Sequence, residues 1–510
     1  MKVLDCTLRD GGYYTGWNFS KNLFENYLKT VSKLNISIIE LGYLSDAKDD
    51  NGLFYHLNKK ILKRAKSLIR KDQKIFAMIN FKEIKSIQQI DNLLADKKKV
   101  LDGIRFAVPP SKMNDLNKVI NKVSKKYKDL SINVNLMYLS KWINNEKILS
   151  KLFKQISKNI NVVSFVDSYG ALTPEQIKEF LYEVKNKNIS EIKIGTHFHN
   201  NCGLALANSL AAYKAGSEVI DTTFTGMGRG AGNAETELLL ANLSDKNNKI
   251  SGFELSNLLE IFYEMKKKMN WGSSFAYAFA AMNGFSQSQM MDLIQNKRLD
   301  PGTAVKAIAN KSKKISQIKL TNINNLVKLK NCKKNSPILI GGAPSLLDYG
   351  DYFFDKINNL RPIILSGSNA LFNFLKLEKK IKNPIILILS GSEIKKINIL
   401  KIKNIFNKIN LYGIIAEKEF LPKNFKFNNK KNLATSTSVA LNPLYLVGLV
   451  LANLKIKKLS LAFFDGNPEN EKGRIVMQDT QESVKKISEM GIKINTLNKS
   501  YLKVKQINFW

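Results

Sequence analysis

Histidine and cysteine are both scarce in this chain, three of each among 510 residues. Cys6, Cys202 and Cys332 are odd in number, widely spaced and form no Cys-x-x-Cys pair. That excludes a disulfide framework and a structural zinc site, and it fits a reducing compartment. No histidine occurs between 311 and 510, so histidine-based transferase chemistry is excluded from the C-terminal part. Long apolar runs are missing too. The opening MKVLDCTLRDGG turns polar within a few residues and lacks the apolar stretch of a signal peptide. Val439 to Leu454 is interrupted by Asn442, Pro443 and Asn453; it is too short to span a bilayer and reads as a buried helix. The expected location is the cytoplasm, with no membrane span.

Acidic residues are also in deficit, 43 against 80 Lys and Arg, which gives a formal charge of +37. Such an excess is a common footprint of nucleic-acid binding. Here the carriers are lysines scattered among Asn and Ile, as at Lys313-Lys314 and Lys457-Lys458, without aromatic interleaving. An AT-rich coding sequence produces the same composition. The reading is therefore solvated lysine faces and no specific nucleic-acid partner, because net charge bears on solubility and nonspecific binding rather than on fold.

A chain of this length exceeds the size at which one core keeps growing, and its 44% hydrophobic content supplies at least two. Eight short apolar runs alternate with amphipathic stretches: Val3-Leu8, Ser37-Leu41, Ile75-Ile79, Gly103-Val108, Ile132-Leu136, Val162-Val166, Ile192-His197 and Val219-Phe224. Eight βα units in about 240 residues match a (β/α)8 TIM barrel. Polar and glycine-rich residues follow the runs, as in Arg9-Asp10-Gly11-Gly12 and Asp167-Ser168-Tyr169-Gly170. In such barrels these strand ends converge in one mouth. Helices are expected over 252–311, so residues 1–310 form the first domain, and the Lys/Asn-rich 311–335 reads as a linker.

Residues 336–510 begin a new α/β pattern, with apolar runs at Ile338-Ile340, Pro362-Leu365, Pro384-Leu389, Leu411-Ile415 and Leu459-Phe464. The expectation is a doubly wound, Rossmann-like sheet. Gly341-Gly342-Ala343-Pro344-Ser345 after the first run suits a phosphate cradle, since glycines admit close backbone approach and a helix start favours anions. The turn is similar to the Gly-x-Pro-Ser turn of bacterial sialyltransferases and related proteins that handle nucleotide-activated sugars. Gly341, Gly342 and Ser345 are the corresponding nucleotide or nucleotide-sugar candidates; the competing reading is a structural or dimerisation domain with a tight turn.

His197 and His199 stand two apart at the end of the seventh run, so on a strand both imidazoles face one way. A His-x-His pair by itself is more often a satisfied core feature. With Asp10 after the first run, however, the chain offers one carboxylate and two imidazoles to a divalent ion. A mixed N/O set without cysteine suits Mn2+, Mg2+, Co2+ or Zn2+ and leaves positions open for substrate oxygens.

Four segments in this order, DCTLRDGG (5–12), DSYG (167–170), HFHNN (197–201) and GMGRGAGN (226–233), resemble the motifs of the metal-dependent lyases and synthases related to hydroxymethylglutaryl-CoA lyase and the pyruvate carboxyltransferases. The resemblance covers about residues 1–300. Within that family, His-x-His-Asn-Asn followed by AGNAE is most similar to 4-hydroxy-2-oxovalerate aldolase. It implies Asp10, His197 and His199 as metal ligands, with Asn233 as a further ligand or a donor behind them. It implies Arg9 beside a developing enolate and Ser168 on the carboxylate of a pyruvate-like 2-oxo acid. The implied reaction makes or breaks a carbon–carbon bond through a metal-stabilised enolate, since a cation and a guanidinium concentrate positive charge where the oxyanion forms.

The chain departs from that pattern at the base. Where the aldolases carry a histidine after Arg-Asp-Gly, this chain has Gly12-Tyr13-Tyr14. Their tyrosine from the helices beyond the barrel is expected to be missing, because the similar segment reads Trp271-Gly272-Ser273-Ser274-Phe275. Tyr13 or Tyr14 is left for proton transfer, although an unperturbed phenol near pKa 10 is a poor base at neutral pH. His56, beside Tyr55, reads as structural before catalytic. Glu40, a lone carboxylate between Ile39 and Leu41, is expected to orient Arg9. The sequence reading is thus a metal-dependent aldolase or lyase of a 2-oxo acid, joined to a Rossmann-like domain in the synthesis of an unusual sugar or surface polysaccharide. A Claisen-type acyl-CoA synthase and a catalytically silent binding scaffold stand as alternatives, and monomer and homo-oligomer are both open.

Overall fold

The computed structural model describes residues 1–186, 192–244, 252–291, 293–294, 301–312, 320–321, 326–330, 336–357, 361–377, 381–390, 393, 409–417, 433–436, 442–465 and 471–507. The chain divides into two compact units, Met1–Met291 and Asp292–Trp510.

In the first unit β1 (Lys2–Asp5), β2 (Ile38–Tyr43), β3 (Lys74–Ile79), β4 (Gly103–Val108), β5 (Ser131–Leu136), β6 (Val162–Asp167), β7 (Lys193–Phe198) and β8 (Val219–Thr222) pair in parallel and in order. β8 returns to β1, with Val3 opposite Ile220, so the sheet is a closed barrel. Helices between the strands bury one apolar stripe each, and several start on a side-chain cap. Asn58, Ser86 and Asn145 each accept an N–H from the first turn of their helix. Lys29, Lys66, Lys126, Lys154, Lys185 and Lys214 sit in the last turns of theirs, where a cation offsets the helix dipole. Part of the basic excess therefore serves helix ends at the N-terminal face of the barrel.

The barrel interior is layered. Ile38, Val162 and Val219 at the starts of their strands join Leu4, Phe76 and Cys6 in a buried apolar cluster. Farther along the strands the interior turns polar: Glu40 on β2, Arg105 on β4, Asn135 on β5, His197 on β7 and Asp221 on β8 are all buried. The first strand is shorter than its apolar run. Asp5 accepts the backbone N–H of Thr7 at 3.0 Å, and a helix runs from Thr7 to Thr15, so Leu8 is helical. Arg9 and Asp10 therefore stand in a first helical turn rather than in a loop. Gly11 and Gly12 are tolerated there because Met227 and the Trp17 ring pack directly on them; an added Cβ would lie 2.6 Å and 2.1 Å from those side chains.

The second unit holds a nine-stranded sheet. Its strands are β9 (Leu320–Thr321), β10 (Ile338–Ile340), β11 (Ile363–Ser366), β12 (Ile385–Leu389), β13 (Leu411–Glu417), β14 (Leu433–Ser436), β15 (Lys458–Ala462), β16 (Lys493–Thr496) and β17 (Lys505–Gln506). The order is β17-β16-β15-β10-β11-β12-β13-β14-β9, parallel except for β9. Both faces are covered: Ile338 and Ile340 join one apolar cluster, and Leu339 between them joins another with Val447 and Leu451. The helix Pro443–Asn453 accounts for the late apolar run.

The expected linker is not one. β9 lies inside 311–335 and pairs with β14, while Leu326 and Leu329, flanking the start of helix Val327–Lys330, are buried in the second core. The helix Pro301–Ser312, expected with the barrel, also falls in the second unit. Composition hid this because two apolar residues suffice to anchor so short a helix. The second Ser-Gly-Ser expected after a strand, 390–392, lies partly outside the described residues.

Candidate active site

Asp10, His197 and His199 bring one carboxylate oxygen and two ring nitrogens within 4.8 Å of one another. They meet because β1 and β7 both end at the same rim. His197 closes the alternation of β7, and His199, one residue past the strand, forms an isolated antiparallel bridge with Asn233. His197 Nδ1 lies 3.0 Å from Asp221 Oδ2, and His199 Nδ1 lies 3.3 Å from the carbonyl of Gly232. Both partners are acceptors, so each Nδ1 carries the proton and each Nε2 keeps its lone pair. His197 Nε2 is 3.9 Å from Asp10 Oδ2. Burial and the neighbouring His197 push the His199 imidazole down to about 3, which keeps it neutral. Burial would raise the Asp10 carboxyl, but Arg9 and the two imidazoles outweigh it and hold Asp10 well below the usual carboxylate range.

Around this trio runs a chain of buried ion pairs. Arg9 donates from Nη1 to Asp10 Oδ1 and from Nε to Glu40 Oε1, both at 2.5 Å. Glu40 Oε2 accepts from Arg105 Nη1 at 3.0 Å, and Arg105 Nη2 donates to Asp221 Oδ2 at 2.5 Å and to Asn135 Oδ1 at 2.7 Å. Asp221 then holds His197, which returns the network to Asp10. Two guanidiniums face three carboxylates, so the cluster carries one surplus negative charge.

The pocket fits a divalent cation. Asn233 donates from Nδ2 to Asp10 Oδ2 at 2.5 Å, yet its Oδ1 is buried with no partner among the described residues. Gly228 leaves open the space beside them; a Cβ there would lie 2.3 Å from Asn233 Nδ2 and 2.9 Å from Asp10 Oδ2. A free acceptor, two imidazole lone pairs and a surplus negative charge are what such an ion requires. Cys6, His197 and Asp221 form a second convergent set. It is the poorer one, because burial holds the Cys6 thiol well above its usual pKa, its Sγ donates to the Thr222 carbonyl at 3.4 Å, and Asp221 is taken by Arg105.

Other residues singled out from the sequence are placed as follows. Tyr13 Oη lies 3.2 Å from Tyr43 Oη, and the Arg229 guanidinium sits 3.7 Å above the Tyr13 ring. Tyr14 donates to the Gly230 carbonyl at 2.9 Å. Ser168 Oγ accepts the Tyr138 N–H at 3.0 Å, a turn contact beyond β6. His56 is bound through Nδ1 to the Ser45 carbonyl and through Nε2 to Asp49 in the loop after β2. Two residues beyond the segment Trp271-Gly272-Ser273-Ser274-Phe275, Tyr277 on helix Phe275–Met282 packs against Gly230, and burial pushes its hydroxyl up to about 12. Arg105 and Asp221 were not foreseen. Each is a lone charge inside an apolar strand, in GIRFAV and VIDT, the same signal that marked Glu40.

The family described as HMGL-like matches residues 1–263. The chain belongs to the HMGL-like family. An oxaloacetate decarboxylase of Mycobacterium tuberculosis is 27% identical over 244 residues, covering 47% of this chain and 69% of that protein. A 4-hydroxy-2-oxovalerate aldolase of Geobacillus thermodenitrificans is 27% identical over 268 residues, 52% of this chain and 75% of that one. Among solved structures, the N-terminal domain of a candidate aldolase from Bacteroides vulgatus is 34% identical, covers 58% of this chain and 96% of its own, and has a TM-score of 0.54. The four segments 5–12, 167–170, 197–201 and 226–233 all fall at the rim of the barrel, with Arg9, Asp10, His197, His199 and Asn233 side by side. The relatives' names mark the barrel as that of a lyase or aldolase.

In the second unit the two candidate glycines are explained by packing. An added Cβ on Gly341 would lie 2.1 Å from the Phe463 carbonyl, and one on Gly342 would lie 3.0 Å from the Ala370 nitrogen. The Gly341 N–H is bonded to the Ala462 carbonyl at 2.8 Å. Neighbouring backbone at both positions accounts for glycine there without a ligand, and Ser345 lines a cavity. No helix among the described residues is long and apolar enough to cross a membrane.

Proposed function

We propose that the barrel is a divalent-metal-dependent carbon–carbon lyase acting on a 2-oxo acid. The observation that carries this reading is the convergence of Asp10, His197 Nε2 and His199 Nε2 beside the unpartnered Oδ1 of Asn233. Mn2+ or Mg2+ suits this set best, and Co2+ or Zn2+ is compatible with it. When bound, such an ion supplies Lewis acidity toward the 2-oxo carbonyl.

The rest of the work falls to the chain. Arg9 uses Nε and Nη1 on Glu40 and Asp10, and Nη2 has no partner among the described residues. Fixed this way, it presents a positive charge to an oxyanion without reorganising. Glu40 holds Arg9 in place, and Asp221 fixes the tautomer of His197. Trp17, in ring contact with both Tyr13 and Tyr43, excludes water on the β2 side. Ser168 and Arg229 are the rim groups suited to a substrate carboxylate.

Proton handling favours one branch of the reaction. The Tyr43 hydroxyl is pushed well above its usual pKa by burial and by Tyr13, so it keeps its proton and donates. The third histidine, His56 in the loop after β2, is engaged through both ring nitrogens by the Ser45 carbonyl and Asp49. Decarboxylation of a 2-oxo diacid needs an electron sink and a proton donor but no base. Retro-aldol cleavage of a 4-hydroxy-2-oxo acid needs a base at the hydroxyl. The tyrosine pair therefore supports decarboxylation as a second reading beside the aldolase one.

Carbon dioxide release from oxaloacetate, against pyruvate and aldehyde release from 4-hydroxy-2-oxo acids, distinguishes the two in the presence of Mn2+. Exchange of pyruvate methyl protons with solvent deuterium reports enolate formation in either case, and Arg9→Ala should abolish it. A wild-type protein with none of these activities on any 2-oxo acid tested would leave a binding scaffold.

A further inference from the structure

The strand order of the second unit reverses between β10 and β15. Strands β11 to β14 are added on one side of β10, and β15 to β17 on the other, so the loops after β10 and β15 diverge and open a crevice at the carboxyl ends of the strands. Such a reversal is the general place for a ligand in an open parallel sheet. A cavity of about 560 Å3 lies there, which is within the range of small-molecule sites.

Its lining has a definite chemistry. Tyr349 and Tyr352 come from the helix after β10, and Tyr501 from the segment after β16. Each is more than half exposed, which is unusual for three large aromatic rings around one cavity. Phe463 forms the floor, its ring 5.1 Å from that of the buried Phe353. Its backbone is left-handed, at φ 58°, and is held by Asn498 Oδ1, which accepts the Phe463 N–H at 2.8 Å. A strained non-glycine residue of this kind persists where surrounding contacts impose it, and such residues gather at ligand sites. Asp465, just past β15, is the carboxylate in the cavity. Its Oδ1 accepts from Ser345 Oγ at 2.7 Å and from Asn498 Nδ2 at 3.2 Å, while Oδ2 has no partner among the described residues. Lys499 stands beside it in the lining.

We propose that this cavity binds a nucleoside phosphate, with the base against the tyrosine rings, the ribose hydroxyls at Asp465 Oδ2 and the phosphate toward Lys499. A π-face suits any base, a fixed carboxylate suits a vicinal diol, and an ammonium suits a phosphate. An inorganic anion alone fits poorly, because Asp465 repels it and the tyrosines give it nothing. The proposal does not depend on the reaction of the barrel.

The test is calorimetric titration of the full-length protein with AMP, GMP, CMP and UMP, their nucleosides and inorganic phosphate. At least one nucleotide should bind with a Kd below about 1 mM. Asp465→Asn and Tyr349→Ala should each weaken it by about tenfold, one by removing the charged acceptor and one by removing a stacking face. Lys499→Ala should weaken the nucleotide and leave its nucleoside unchanged. Asp10→Asn, which disables the barrel, should leave binding unchanged. Failure of every nucleotide to saturate would overturn the proposal. So would equal competition by inorganic phosphate, or wild-type binding in both Asp465→Asn and Tyr349→Ala at an unchanged melting temperature.

Discussion

Asp221 Oδ2 takes two donors at once, His197 Nδ1 at 3.0 Å and Arg105 Nη2 at 2.5 Å. The carboxylate that sets the imidazole tautomer is therefore itself neutralised by a guanidinium without solvent access. Asp221→Asn keeps the shape but turns an anionic acceptor into an amide. Metal affinity, measured by competition with a chelator, should fall by roughly 10- to 100-fold with little change in the fold.

Direct ligands should behave differently. His197→Ala or Asp10→Asn should remove most of the bound metal, and elemental analysis of the purified proteins reads this out. Metal content equal to wild type in both variants would exclude the proposed site.

Arg105 is fully buried between Glu40 and Asp221. Arg105→Met leaves Asp221 with no guanidinium and Glu40 with Arg9 alone, and unfolding in denaturant should show a loss of about 3–5 kcal/mol. Adding Asp221→Asn to it should recover part of that loss, because the stranded charge is then gone.

Glu237 gives a pH signature separate from the site. Burial, with Glu235 and Asp5 nearby, raises its carboxyl to about 7, although it accepts the Thr225 N–H. Its folded pKa lies above the unfolded value of about 4.3, so its contribution is present below that value and is lost as pH rises through about 7. Glu237→Gln should match wild type near pH 4 and exceed it at pH 8 by on the order of 3 kcal/mol. Melting curves across that range test the sign.

Gly341 should not tolerate a side chain. Its Cβ would meet a backbone carbonyl rather than a flexible side chain. Gly341→Ala should lower the melting temperature of the second unit, whether or not a nucleotide is present.

The sequence foretold most of the barrel and less of its charge network. Eight apolar runs announced eight strands because a parallel strand buried on both faces must be apolar throughout. The convergence of His197 and His199 with Asp10 was visible because histidines are few and their spacing is that of a strand. Arg105 and Asp221 were overlooked because their partners all lie 24 residues or more away, so that only closure of the barrel reveals the pairing. β9, β14, β16 and β17 escaped for a different reason. They have two to four residues each, several of them polar, too few for an alternation to register. The linker reading failed in the same way, since Leu326 and Leu329 are too sparse to mark a core segment.

The apolar layer of Leu4, Ile38, Phe76, Val162 and Val219 does more than fill the barrel. Ile38, Phe76, Val162 and Val219 also form part of the lining of the lysine-ringed depression at the opposite face. A thin hydrocarbon bulkhead thus separates a wet basic vestibule from a charged chamber. Among the described residues that layer closes one end of the chamber and leaves the rim as its open side. On the proposed cleavage, the product nearer the rim would leave before the one held against Asp10 and the histidines.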